Sequence, residues 1–315
     1  MESGAASVYS LARKISTVAA FSAAALSFLL IHLFHVDAIS WQIVLATVAL
    51  ALGIPHGAVD HLITLPKNSP RKLAVFVAGY VAIAVVAGAA IFHWNVLGFQ
   101  LVLVMSFLHF GFGDATFLVE LGDSLHRPRK NIFIKFFYAL ASGALPVFLP
   151  LTSDQSQKAL NKIHPALIDW AASAVEKIRV AVLILAAVTA LLLIATRAWR
   201  DLLDLAALFL LSLIAPPLVA FAIYFGLWHA LRHTARLTQL LPRSRNSLVA
   251  ASIPGLPALI GALALAAVFI IFRGQKFSSD FFWNLLVIVW ALTVPHMMVT
   301  ARIDRRVLNK FSTKR

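Results

Sequence analysis

The chain has 315 residues, 61% of them hydrophobic and 13% charged, with a mean hydropathy of +0.87. A soluble domain of this length exposes far more charge, so the composition indicates an integral membrane protein. The formal net charge of +14 does not point to nucleic acid, because the basic residues fall in short clusters between apolar segments. The lack of cysteine excludes disulfides, thiolate metal sites, iron–sulfur clusters and a cysteine nucleophile.

About 20 apolar residues cross a bilayer core as a helix. On that scale the first predicted span, 15–35, follows Arg13 and Lys14. It is long and no small-residue cleavage site follows it, so it is expected to be an uncleaved helix rather than a signal peptide. Further spans are predicted over 38–65, 73–94, 96–119, 132–151 and 178–196. A short segment, 202–215, ends at Pro216-Pro217 and either stands alone or joins 217–238 as one broken helix. The last two spans are 248–272 and 281–302. The expected fold class is therefore all-α: an integral membrane bundle of about ten transmembrane helices, forming a single multi-pass domain over residues 1–315.

The charges mark the orientation. Arg13 and Lys14 precede the first span, and Lys67, Arg71 and Lys72 follow the second. Arg127, Arg129 and Lys130 follow the fourth, Arg197 and Arg200 the sixth, Arg236, Arg243 and Arg245 the eighth. Arg302, Arg305, Arg306, Lys310, Lys314 and Arg315 follow the tenth, while the connections at 154–179 and 273–280 are mixed. Basic clusters on every second connection put both termini in the cytoplasm.

Of eleven histidines, His56, His109, His229, His233 and His296 lie inside apolar spans. Ionisable side chains at bilayer depth are costly and usually mark a functional site. The four spans that carry them all run outside to inside, and each histidine falls past the middle of its span. All five thus share one depth, in the cytoplasmic half of the membrane. His32, His35 and His93 sit at outer helix ends and His126 and His164 in loops, where no special role is expected.

The local motifs give these positions chemistry. His229 and His233, four residues apart, present both imidazoles on one helix face, a common way for one helix to supply two metal ligands. Taken alone, the pair reads equally well as helix-end histidines beside arginines. His56 follows Pro55 and precedes Gly57 and Ala58, which favour a kink and close approach. Asp60, one turn on, is placed to accept a hydrogen bond from an imidazole, as metal-bound histidines often require. His61 is expected only to end its helix. His109 precedes Gly111, Gly113 and Asp114, and that carboxylate either accepts from an imidazole or pairs with an arginine. His296 follows Pro295 and precedes two of the four methionines. The 23 phenylalanines and seven tryptophans decide nothing by number alone.

The ordered set Pro55-His56-Gly57-Ala58-Val59-Asp60, His109-Phe110-Gly111-Phe112-Gly113-Asp114, Trp228-His229-Ala230-Leu231-Arg232-His233 and Pro295-His296-Met297 resembles the Brp/Blh family of membrane β-carotene 15,15′-dioxygenases. The resemblance implies a non-haem Fe2+ enzyme of the cell membrane that splits the central double bond of β-carotene with O2 into two all-trans-retinal. It also implies that His56, His109, His229 and His233 hold the metal. His296 is carried over as a neighbour of the site, with Asp60 and Asp114 as supporting residues, and His61 lies outside the shared pattern. Imidazole suits iron, and no catalytic side chain beyond the ligands is called for. The partners are β-carotene, O2 and the bilayer; a functional link to a rhodopsin that takes up the retinal stays open.

The rival readings fit less well. A di-iron desaturase or hydroxylase uses several HxxxH or HxxHH boxes, whereas this chain has one HxxxH and no adjacent His-His pair. A haem electron carrier uses histidines on facing helices and is told apart by its absorption spectrum. A retinal-binding receptor needs a lysine deep in a span, and Lys135 lies near a helix end. A carotenoid carrier or transporter has no need of four converging histidines, and no internal repeat points to one.

Overall fold

The computed structural model describes residues 4–35, 38–65, 69–127, 131–240, 247–273 and 279–309. Among the described residues all regular structure is helical. Lys67, Arg129, Lys130, Arg243, Arg245, Lys276, Lys310, Lys314 and Arg315, which carry part of the orientation argument, lie outside the described residues.

The apolar runs become α1 (Gly4–His32), α2 (Ile39–Gly57), α4 (Pro70–His93), α5 (Asn95–Ser124), α6 (Ile132–Phe148) and α8 (Val175–Ala195). Between α2 and α4 a short α3 (Asp60–Thr64) continues the second run after a turn at Ala58 and Val59. The connection from α6 to α8 holds α7 (Asp154–Ile163) and several 3-10 turns. Next come α9 (Trp199–Ile214) and α10 (Pro217–Ala222), separated at Pro216, where proline lacks the amide needed to continue the ladder. A π-helical segment, Ile223–His229, joins α10 to α11 (Ala230–Leu240). The chain ends through α12 (Leu248–Ser252), α13 (Leu256–Arg273) and α14 (Ser279–Asn309).

Each of the ten expected segments is occupied by helix. Length and composition, however, qualify six helices to cross a membrane: Gly4–His32, Ile39–Leu62, Pro70–His93, Asn95–Ser124, Ala172–Ala195 and Phe282–Leu308. The bent pair Leu248–Gly255 and Leu259–Leu265 makes a seventh if it counts as one span. The other expected spans are either shorter, like the 17-residue α6, or broken by proline and the π segment.

The outer surface is apolar. On α4, Val75, Val85 and Val86 are 64–70% exposed, while few residues of that helix are buried. Water would penalise such a surface, whereas lipid tails accept it. Inside, close backbone approach replaces a hydrophobic drive between helices. A Cβ at Gly111 of α5 would strike the Ala139 carbonyl of α6, and one at Gly143 would strike the Phe107 carbonyl. These paired glycines let α5 and α6 lie in direct contact, which is close packing rather than room for a ligand. Around them α14 packs on α4 and α5, α2 on α10, and α1 on α9 and α11. The termini of α2 and α11, the middle of α5 and the middle of α14 thereby meet.

Candidate metal centre

At that meeting point the five span histidines come together. His56 ends α2, His109 lies in α5, His229 closes the π segment, His233 follows on α11, and His296 lies in α14 beside Pro295. All five are buried. Ring centroids of His56 lie 5.3 Å from those of His229 and His233 and 5.1 Å from that of His296. His109 is 4.8 Å from His229 and 5.2 Å from His296, and His233 is 5.4 Å from His296. Rings at 4.8–5.4 Å leave no slab of space for a porphyrin within these pairs. The nitrogens of His56, His229 and His296 all lie within 4.8 Å of one another, close enough to share a metal ion.

The hydrogen bonds around the cluster show which nitrogens face inward. His56 Nδ1 bonds the Gly53 carbonyl. A carbonyl only accepts, so the proton sits on Nδ1 and the Nε2 lone pair is free. His296 Nδ1 donates to the Asp60 carboxylate at 2.9 and 3.1 Å, and its Nε2 is buried with no hydrogen-bond partner. The Thr300 hydroxyl donates to a carbonyl in its own helix turn, His296 or Met297. Its oxygen is therefore left to accept from His109 Nδ1 at 3.2 Å, which frees His109 Nε2. That lone pair faces His229 Nε2 at 3.1 Å. His233 Nε2 is also buried without a partner. Buried polar atoms are rarely left unsatisfied. Several inward lone pairs and two orphaned nitrogens are the donor set that a borderline-soft cation such as iron takes up, so the residues fit a metal.

Asp60 does accept from an imidazole, as its spacing indicates, but the imidazole is that of His296 rather than His56. The turn at Ala58 and Val59 breaks the helix and rotates Asp60 toward α14. His296 is therefore no remote neighbour: it carries the carboxylate partner typical of a ligating histidine. Gly57 makes room for it, since a Cβ there would sit 3.3 Å from the His296 ring. The Tyr80 hydroxyl, 3.2 Å from the Leu292 carbonyl and 3.5 Å from Asp60, closes that side. His61, half-buried, bonds the Ala58 carbonyl at 3.2 Å and takes no part in the ring contacts among the described residues.

Asp114 takes the other alternative its position offered. It accepts from Trp228 Nε1 at 3.0 Å and from the Tyr224 hydroxyl at 3.4 Å, and lies 3.8 Å from the Arg232 guanidinium. Arg232 also pairs with Asp204 at 3.1 Å, donates to Ser16 and lies 3.6 Å over the Trp228 ring. One turn on, Arg236 binds Glu120 and Asp304, each at 2.8 Å. These pairs, buried except for the partly exposed Glu120, fix the rotation of the π segment and α11, and with it the direction of His229 and His233. Trp228 and Arg232 thus serve the site through the scaffold. In the sequence both stand in the motif Trp228-His229-Ala230-Leu231-Arg232-His233, beside two histidines at metal-ligand spacing. Thr300, four residues after His296, was legible by helical spacing; Tyr80 was not.

A family model described as beta-carotene 15,15'-dioxygenase matches residues 47–304. The chain belongs to the β-carotene 15,15′-dioxygenase family. All five converging histidines, with Asp60 and Asp114, lie inside the stretch matched to this dioxygenase family. The chain is also 28% identical over 296 residues to the "Probable beta-carotene 15,15'-dioxygenase Blh" of Halobacterium salinarum, which covers 82% of each protein. No solved structure gives a significant match.

Proposed function

We propose that this chain is a membrane dioxygenase that cleaves the central 15,15′ double bond of β-carotene with O2, giving two all-trans-retinal. The observation that carries the proposal is the convergence of five buried imidazoles, with orphaned nitrogens, in a chain that belongs to the β-carotene 15,15′-dioxygenase family. His56, His109, His229 and His233 hold Fe2+ in this reading. His296, backed by Asp60, offers a fifth nitrogen to the same space. Held there, Fe2+ supplies the redox chemistry with O2 that imidazoles lack.

The chain's own residues do the rest. The reaction breaks one carbon–carbon double bond and places one oxygen atom on each fragment, so no proton need be moved by a side chain. A hydrocarbon substrate offers no hydrogen bond, and apolar walls alone must position it. Phe110 and Phe225 pack against the rings of His229 and His56, 4.6 and 5.9 Å away, and keep bulk water from the inward nitrogens. Gly53 and Asp60 hold their imidazoles in the tautomer that presents Nε2, and Thr300 does the same for His109.

The proposal includes a single multi-pass membrane domain over residues 1–315, ten membrane segments, cytoplasmic termini and residence in the cell membrane. It also leaves room for a rhodopsin that consumes the retinal. Expression in cells that make β-carotene tests the reading: colour should bleach, extracts should contain retinal, and the purified protein should carry iron. Unbleached cells containing the folded, iron-loaded protein would overturn it.

A further inference from the structure

Three hollows meet at the histidines. The first is an apolar cavity between α5, α6, α7, α10 and α14, about 120 Å³ in volume. It reaches from Phe110 and Phe225 beside the histidines up to Phe99 and Leu286. Those two lie ten residues before His109 and His296 on α5 and α14, a distance of about 15 Å at the helical rise, which is half of a bilayer core of about 30 Å. The second hollow is the histidine chamber itself, which shares Phe110, Phe225, Val289 and Thr293 with the first. The third is a groove between α5 and α14 that begins at His109 and runs down α14 to Leu308. At its lip Leu108 is 42% and Met298 48% exposed, so it opens sideways on the surface that faces lipid.

The end of the cavity away from the histidines is α7. This helix has the sequence Asp-Gln-Ser-Gln-Lys-Ala-Leu-Asn-Lys-Ile, too polar to cross a membrane, yet Ser156, Ala159, Leu160 and Ile163 are buried along one face and line the cavity. Its polar face points outward, so α7 is a lid of fixed position rather than a span.

Resting on the reading above, we propose that β-carotene enters through the groove between α5 and α14 and pushes one half into the apolar cavity until its ring meets α7. The depth of that cavity then places the central double bond at the histidines, and α7 is the ruler that makes the cleavage symmetric. The groove holds the other half and sets the rate of entry. Both arms are lined mostly by apolar side chains, with Asp304 and Arg305 at the lower end of the groove, and the histidine chamber shares Phe110 and Phe225 with the cavity and His109 with the groove.

The two ends therefore respond differently to filling. Ala159→Phe shortens the cavity, so the polyene stops early and the bond presented lies nearer the inserted ring. The products become two aldehydes of unequal length, still one oxygen atom on each. Met298→Trp narrows the groove and should lower turnover several-fold while the product stays retinal alone. A second readout needs no metal: Trp290 lines the cavity, so β-carotene added in detergent to iron-free protein should quench its fluorescence, and Trp290→Phe should remove most of the quenching. Ala159→Phe should weaken this quenching as well. If wild-type protein makes retinal and Ala159→Phe makes only retinal at the same rate, with quenching unchanged, the ruler is wrong while the activity stands. If Ala159→Phe fails to fold, Leu160→Phe at the same face takes its place, with the same two outcomes. If wild-type protein cleaves nothing, the activity itself fails, and quenching of iron-free protein still decides whether the cavity takes a polyene.

Discussion

Segment 217–240 faces two polar clusters, and they meet the cost of burial in opposite ways. On one face Arg232 and Arg236 meet Asp114, Asp204, Glu120 and Asp304, and each guanidinium has two carboxylates within reach. On the neighbouring face His229 and His233 meet His56, His109 and His296, and two of the five rings end in nitrogens with no partner. Where charges are buried, the chain pairs them; where the five imidazoles are buried, it leaves two nitrogens without a partner. The first arrangement is a scaffold, in which each charge finds a counter-charge within the protein because any loose charge in an apolar interior is expensive, although Arg232 Nη1 makes no hydrogen bond. The second has the form of a receptor, since its partnerless nitrogens sit in one cluster of converging imidazoles, where a single ion can complete them.

The largest expected effect falls on the scaffold. Arg232→Ala leaves Asp114 buried with no cation beside it, and breaking a buried pair in this way costs about 3–5 kcal/mol. Thermal unfolding in detergent should show the variant far less stable than the parent, with little protein recovered from the membrane. A variant with parental stability would show that the pairs are dispensable and dissolve the contrast. The receptor side should behave otherwise. His56→Ala or His229→Ala should leave a folded protein in the membrane but reduce iron affinity and retinal yield by more than about 100-fold, beyond what the loss of an outer partner costs. Parental iron content in either variant would remove that residue from the ligand set.

A smaller effect should come from Asp60→Ala. The substitution keeps all five imidazoles but frees His296 to rotate and lose its tautomer. Losing such a partner typically costs 10–100-fold in metal affinity, which iron titration of metal-free protein measures directly. An unchanged affinity would return His296 to the role of a neighbour.

Which parts of this were legible in the sequence follows from the physics of each signal. The histidines were, because an imidazole in an apolar run is improbable without a task, and four short motifs carried them. Trp228 and Arg232 stood in the same motif but were read past: their meaning depends on Asp114, more than 110 residues away, and on Asp204 in α9. Asp60 was recognised as an acceptor, but its donor could not be, since a turn after Gly57 decides which way it faces. The π segment at Ile223–His229 left no trace, because adding one residue to a turn requires only a shift in hydrogen bonding that side-chain periodicity does not record. Segment positions were legible from apolar runs, whereas the number that cross the bilayer was not. A 17-residue helix is as apolar as a full span yet falls just short of its length.

The smallest effect should come from His61→Ala, and it is the sharpest control on the comparison. His61 is five residues from His56 and next to Asp60 in the chain, so proximity in sequence alone would enlist it. In the fold its Nδ1 is turned to the Ala58 carbonyl at 3.2 Å, and its ring contributes no nitrogen to the cluster. The substitution removes one partly exposed hydrogen bond, worth about 0.5–1.5 kcal/mol, and should leave iron content and retinal yield within about two-fold of the parent, a change below 0.5 kcal/mol by the tenfold rule of about 1.4 kcal/mol. A loss of iron on the scale of His56→Ala would mean that the turn between α2 and α3 rearranges when metal binds, and that the receptor face extends past Asp60.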